Sequence, residues 1–131
     1  MRRSAQALVE FALAISVFML LVVGTFDMAR AYLTQIVVAN SVREVSRYAA
    51  AHANDARSPN YLADATQAGF NLAIGLDPSK LTLNPTAVPS TGVAQSISVT
   101  GAYEFHSLTP VLRVWWGDPI YISSNTATPV G

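Results

Sequence analysis

The feature that most constrains this chain is an apolar run near its N-terminus. Residues 7–26 read ALVEFALAISVFMLLVVGTF and contain a single charged side chain, Glu10. A helix of about 20 apolar residues crosses the hydrocarbon core of a bilayer. Arg2 and Arg3 precede the run, and Asp27 follows it at once. The pattern therefore predicts a membrane-spanning helix whose N-terminus is inside, because positive charge favours the cytoplasmic side.

Three interpretations of this segment compete, and they differ in what they make of Glu10. A cleaved secretory signal has a shorter apolar core with a small-residue cleavage site just after it, which fits poorly here. An ordinary signal anchor fits the length and the charges, with Glu10 one turn into the bilayer and extending to the interface. The third interpretation gives Glu10 a function, because acids within membranes are usually paired or functional.

The helical pattern continues beyond the apolar run. Apolar residues recur every three or four positions, as on one face of a helix. They are Met28, Tyr32, Ile36, Ala39, Val42, Val45 and Ala49. The polar residues expected largely off this stripe are Arg30, Thr34, Ser41, Glu44 and Arg47. The pattern predicts one helix from about Ser4 to about His52, roughly 70 Å long, and a simple membrane anchor does not need its outer half.

The remaining sequence has the pattern of a small α+β head. Ser58-Pro59-Asn60 predicts a turn, and residues 61–76 predict a short helix. Alternating residues predict strands at 81–83, 96–106 and 120–122. In the middle strand, the expected buried face carries Ile97, Val99, Tyr103 and Phe105. Because the helices come first and the strands last, we expect an antiparallel sheet packed on the outer half of the long helix.

Composition argues against several classes of function. The formal net charge is zero, without the basic excess that a nucleic-acid partner requires. The chain has no cysteine, which excludes disulfides and thiolate chemistry. It has two histidines, His52 and His106, its acids are scattered singly, and no nucleotide-binding or hydrolase motif is present. We therefore expect no enzymatic activity, cofactor or metal site.

A short motif at the start of the run resembles a known processing site. Residues 4–11 read SAQALVEF and resemble the cleavage site of type IV pilin precursors. In that family a basic leader ends at a small residue, usually Gly, and Glu is the fifth residue of the mature chain. Here the matching cut lies between Ala5 and Gln6, which makes Glu10 the fifth residue, although Ala5 replaces the usual Gly.

The resemblance is closest to the TadE-like proteins of tight-adherence (Flp-type) pili, whose start reads much like QALVEFAL. A second stretch, residues 42–50 with the sequence VREVSRYAA, also resembles the TadE-like pattern. The clear resemblance covers about the first 50 residues. It implies a type IV pilin-like division of the chain. The parts are a leader-like segment 1–5, a long helix 6–53 with a membrane or filament-core part 7–26 and a stalk 27–53, and a head 54–131.

The resemblance also implies roles for particular residues. Glu10, beside Phe11, is expected to set the register of assembly by pairing with the new α-amine of Gln6 on the next subunit, since either charge alone is disfavoured in an apolar bundle. The expected filament core comprises Leu8, Leu13, Val17, Leu20, Leu21 and Phe26. The stalk charges are Asp27, Arg30, Arg43 and Arg47.

The function that the resemblance implies is that of a structural subunit, inserted in the inner membrane as a precursor and then polymerised into an extracellular filament that supports adhesion. The implied partners are other copies, other pilins, a prepilin peptidase, an assembly ATPase and a platform protein. The alternatives are a minor or basal pseudopilin and a monomeric membrane-anchored binding module. Trp115 and Trp116, in the apolar segment 111–116, are candidates for subunit contact, for covering the core or for membrane contact.

Overall fold

The computed structural model describes residues 2–90, 93–110, 113–114 and 117–130. The predicted long helix is confirmed, since helix α1 spans Arg2–His52. At 1.5 Å per residue its 51 residues extend about 77 Å. The helix ends where the Asp55 amide bonds the carbonyl of His52 in a turn. Together with a short helix and a three-stranded antiparallel sheet, α1 gives the predicted α+β, pilin-like architecture.

Helix α2 spans Tyr61–Leu72, four residues shorter than the prediction. The chain leaves the helix at Ala73, and two residues later Gly75 has a φ of +84°. That left-handed conformation is accessible to glycine at little cost and is incompatible with a continuing helix. A 3-10 turn at Pro78–Lys80 then leads into the sheet.

Strands β1, β2 and β3 span Leu81–Ser90, Val93–Phe105 and Ile120–Pro129. They pair antiparallel in the order β1-β2-β3. The predictions for β1 and β3 were too short. Pro85 and Pro89 in β1 resemble strand breakers, but β1 is an edge strand, where a missing N–H can face away from the ladder. A register shift between Val88 and Pro89 accommodates the second proline.

The predicted buried face of β2 is confirmed. Ile97 and Val99 are fully buried, Phe105 is nearly so, and Tyr103 is half-buried. Between them lies Gly101, where α1 crosses the sheet. A Cβ at Gly101 would overlap the side chain of Val42 on α1 and would come within 3.1 Å of Leu83 Cδ2. Glycine is therefore required at this crossing by close packing.

The predicted apolar stripe of the stalk was wrong in its lower part. Met28, Tyr32 and Ile36 are exposed, whereas Thr34 and Ser41, predicted to lie off the stripe, are buried. The apolar residues of α1 that face the head are Val38, Val42, Val45 and Ala49. The periodicity combined apolar residues from two faces of one helix, and the head covers only one of those faces.

Candidate functional site

The apolar segment 7–26 exposes its large side chains along its length. The predicted filament-core residues are all exposed, namely Leu8, Leu13, Val17, Leu20, Leu21 and Phe26. Glu10 and Phe11 are exposed on the same helix, as are Ala5 and Gln6 at the predicted cut. Among the residues that the structure describes, α1 is the one helix long and apolar enough to cross a membrane. This long apolar helix fits membrane anchoring.

The exposed apolar surface continues past the membrane-length segment. Met28, Tyr32, Leu33 and Ile36 are exposed large apolar residues on the stalk. Ile36 lies ten residues after Phe26, which corresponds to about 15 Å along the helix axis. The head therefore leaves several large apolar side chains of the stalk exposed beyond the membrane-length segment.

The head is joined to the stalk at Asp27, directly after the apolar segment. The Asp27 side chain is 1% exposed. Its Oδ1 accepts a hydrogen bond of 3.0 Å from the Leu108 N–H, and its Oδ2 accepts bonds from the Thr109 N–H at 2.7 Å and the Thr109 hydroxyl at 2.6 Å. Arg30 Nη1 lies 3.3 Å from Oδ1. One carboxylate thus fixes the loop that follows β2 to the base of the stalk.

These contacts determine the ionisation of Asp27, which lies outside the segment 7–26. Burial by itself would raise the pKa of the carboxyl, but the hydrogen bonds from Thr109 and Leu108 and the charge of Arg30 outweigh it. The pKa of Asp27 is therefore below its ordinary value of 3.8. Charge-assisted hydrogen bonds are stronger than neutral ones, so the ionised carboxylate stabilises the junction at neutral pH.

A second set of polar contacts orders the loop beside this junction. Arg113 Nε donates a hydrogen bond of 2.9 Å to the carbonyl of Ser107 and lies 3.6 Å from Asp118 Oδ2. His106 Nδ1 lies 2.9 Å from Asp118 Oδ1. The guanidinium of Arg30 lies over the Phe105 ring, 5.3 Å from its centroid, within the range of a cation–π contact.

The other two predicted stalk charges, Arg43 and Arg47, do not contact the loop at Asp27. Arg43 and Arg47 are exposed, and Arg47 Nε donates to Glu44 Oε2 at 2.9 Å. That hydrogen bond lowers the pKa of Glu44. At 100° per residue both arginines point away from the face that packs on the head. The structure does not bring them near Asp27, and Trp115 and Trp116 lie outside the described residues.

Two hollows flank the stalk where the head begins. One, of about 180 Å³, is mainly apolar and is lined by residues that include Met28, Phe105 and Ile122. The other, of about 460 Å³, is lined in part by Arg30, Lys80 and the same Phe105. Within the described ranges, no three histidine or acidic side chains are grouped so that they could hold a metal.

The match to known proteins falls on the part of the chain that carries these surfaces. Residues 5–47 match the family of TadE-like proteins. The resemblance predicted from the N-terminal motifs is confirmed over this third of the chain. The match covers less than half of the chain, and it shows what the long helix is similar to. Comparisons with curated proteins and with solved structures gave no match.

The TadE-like segment contains Asp27, whose role the sequence analysis missed. The sequence analysis placed Asp27 and Arg30 among the stalk charges and gave Asp27 no partner in the head. The backbone groups that donate to the Asp27 carboxylate belong to Leu108 and Thr109, which are 81 and 82 residues away in the chain. The available signal was the position of a lone acid at the end of an apolar run, where an unpaired charge would be costly and a partner is expected.

Proposed function

We propose that this chain is a structural subunit of a Tad-class type IV pilus that polymerises through α1. The observation that supports this proposal most strongly is the exposed apolar surface, which continues about 15 Å beyond the membrane-length segment, from Phe26 to Ile36. A monomeric anchor needs apolar surface only within the bilayer. A helical filament needs it wherever subunits pack.

The energetic argument favours burial of this surface against neighbouring subunits. Full burial of one large apolar side chain contributes about 1.5–3 kcal/mol relative to water. Tyr32, Leu33 and Ile36 together therefore offer several kcal/mol per subunit. In the segment 7–26, packing against identical helices replaces lipid contact, so the stalk supplies much of the preference for the filament.

Glu10 is proposed to set the axial stagger of the subunits. Cleavage after Ala5 would create an α-amine on Gln6, and the Glu10 carboxylate of one subunit would pair with the amine of the next. Either charge alone in the apolar bundle is strongly disfavoured, so the pair selects one register. This proposal needs a prepilin peptidase, and assembly needs an ATPase and a platform protein in the inner membrane.

A pair of matched variants tests the polymerisation surface. Ile36→Asp places a charge on the exposed stalk face, and Val88→Asp places one on the head at the far end of the sheet. The two side chains are 40% and 47% exposed, so neither change buries a charge in the isolated subunit. Cells are sheared, extracellular material is pelleted, and the chain is quantified there and in the membrane. We expect Ile36→Asp to deplete the pellet while its membrane level is unchanged, and Val88→Asp to behave as wild type.

The same pellet identifies the N-terminus by mass spectrometry. A chain that starts at Gln6 supports cleavage and the Glu10 pairing, and Glu10→Ala should then reduce assembly. A chain that starts at Met1 excludes the amine from that pairing. Should wild type stay wholly in the membrane fraction, a basal pseudopilin or a monomeric module is the better interpretation. Filaments of normal abundance from Leu20→Asp would exclude packing through the apolar helix.

A further inference from the structure

The end of the head nearest the apolar segment carries exposed apolar and basic side chains. We define the foot surface as Leu108, Arg113 and Val114. Leu108 is 62% exposed and Val114 is 83% exposed. The Arg113 side chain is half-exposed, and its backbone and Nε groups bond the carbonyls of Thr109 and Ser107. These bonds hold Arg113 against the two residues that flank Leu108, and Val114 follows Arg113 in the chain.

The position of the foot surface along α1 follows from Asp27. Residues 7–26 rise about 30 Å as a helix, which equals the thickness of the hydrocarbon core. The headgroup layer adds about 5–7 Å on each side. The Leu108 amide bonds Asp27, the first residue after that segment. With α1 across a bilayer, Leu108 therefore lies at the depth of the headgroups.

The sheet extends away from this boundary. Gln35 bonds the Ser123 carbonyl at 3.4 Å, and farther along α1 the Ser46 hydroxyl bonds that of Thr128. Val88 pairs with Ser96 in the same distal part of the sheet. The foot surface is thus the membrane-proximal end of the head, and Val88 is an exposed apolar residue at the opposite end.

We propose that the foot surface binds the bilayer in which α1 is anchored. Leu108 and Val114 enter the headgroup layer, and Arg113 with Arg30 binds the phosphates of anionic phospholipids. This inference rests on the membrane anchoring in the proposed function. The bilayer is the favoured occupant because the foot surface adjoins the apolar segment 7–26, since the Leu108 amide bonds Asp27. In addition, Arg113 and the neighbouring Arg30 have N–H donors beyond those that face Asp118 and Asp27, and anionic headgroups can accept hydrogen bonds from them.

The arginines have donors to spare for this role. Arg113 uses Nε for Ser107 and lies near Asp118, and Arg30 bonds Asp27 through Nη1. A guanidinium carries five N–H donors, so each side chain retains several for a phosphate. Attachment at two points, α1 and the foot surface, fixes the orientation of the head before assembly. The apolar stalk face is then presented to incoming subunits at a fixed angle to the membrane.

A labelling experiment tests the proposal on the full chain. Because the sequence has no cysteine, Val114→Cys provides a single attachment point, and Val88→Cys is the matched control. Each variant is labelled with a nitrobenzoxadiazole fluorophore and reconstituted in vesicles of phosphatidylcholine and phosphatidylglycerol. We expect lipids that carry a nitroxide near the headgroup to quench the label at 114 several-fold more than at 88, and aqueous iodide to show the reverse order. Quenching at 114 should increase with the phosphatidylglycerol content of the vesicles, and Arg113→Gln should weaken this increase.

The outcomes distinguish this inference from the proposal on which it rests. A chain that does not float with the vesicles lacks the membrane anchor, which overturns both. A chain that floats but exposes the label at 114 to iodide as fully as at 88 overturns the foot surface alone. Shielding of that label from both quenchers would show that another copy of the chain covers the foot surface, which also overturns bilayer binding.

Discussion

Asp27→Ala is the substitution that most directly tests how the head is held on the stalk. The carboxylate accepts hydrogen bonds from the Leu108 N–H and from two donors of Thr109. Thr109 is buried, so its donors lose their acceptor without gaining full access to water, whereas Leu108 is exposed and its N–H can be solvated. The substitution should therefore loosen the loop after β2 while α1 itself remains intact.

The expected magnitude can be worked from those contacts. A buried donor left without an acceptor costs about 1–3 kcal/mol, and Thr109 has two. Removing the carboxylate also removes the cost of desolvating its charge, which offsets part of this loss. We expect the free energy of local opening to fall by about 2–4 kcal/mol. Since about 1.4 kcal/mol is tenfold, amide protection should fall by about 30- to 700-fold.

Hydrogen exchange of the detergent-solubilised full chain measures this effect at the amides of Leu108 and Thr109. Glu44→Ala is the control, because it removes an acid from the same helix whose Arg47 partner is exposed. Exposed ion pairs contribute about 0–1 kcal/mol, so its effect at these amides should be negligible. Asp27→Asn should fall between the two. Equal protection in Asp27→Ala and Glu44→Ala would refute the assignment of Asp27 as the residue that holds the loop.

Further outcomes follow from the same structure. Gly101→Ala should destabilise the head by about 1–3 kcal/mol through overpacking against Val42, and Val42→Ala in the same chain should recover part of it; thermal unfolding tests both. The Ser41 hydroxyl is buried and finds no hydrogen-bond partner within the described ranges, so Ser41→Ala should leave stability unchanged or raise it by up to about 1 kcal/mol in urea unfolding. Because the pKa of Asp27 is lowered on folding, its contribution is present above about pH 4 and is lost as pH falls through the folded value. Amide protection in the loop should therefore fall below about pH 4 in wild type, and this loss should be absent in Asp27→Asn.

Local sequence patterns predicted the elements in which the burial of each residue follows from its position within that element. The segment 7–26 is apolar on all sides apart from Glu10, and its length alone indicated a helix that could cross a membrane. The alternation in β2 was equally clear, since Ile97 and Val99 face the core while Ser98 and Thr100 do not. In the first case the length of the apolar run and in the second the two-residue alternation were enough to identify the element from the sequence.

The predictions that were wrong concern residues whose environment depends on distant parts of the chain. The polar run from Ser123 to Thr128 resembles a loop, yet β3 continues through it because backbone pairing with β2 does not require apolar side chains at an edge. Pro85 is tolerated because β1 is also an edge strand, where a missing N–H can face away from the ladder. The partners of Asp27 lie some 80 residues away, and no local pattern indicates which donors they are.

The stalk contains both kinds of residue in one helix: some whose burial follows a local pattern and some whose partners are distant in the chain. Its head-facing side contains the polar residues Asp27, Ser41 and Ser46 among valines, and the head supplies specific partners to Asp27 and Ser46. Hydrogen bonds at fixed positions determine how the head is placed along α1, which apolar packing alone would specify weakly. The outer face carries apolar residues such as Tyr32 and Ile36, which can slide and rotate against a neighbour. In the proposed filament that face needs a separate device to fix its register, and this is the role that we propose for Glu10.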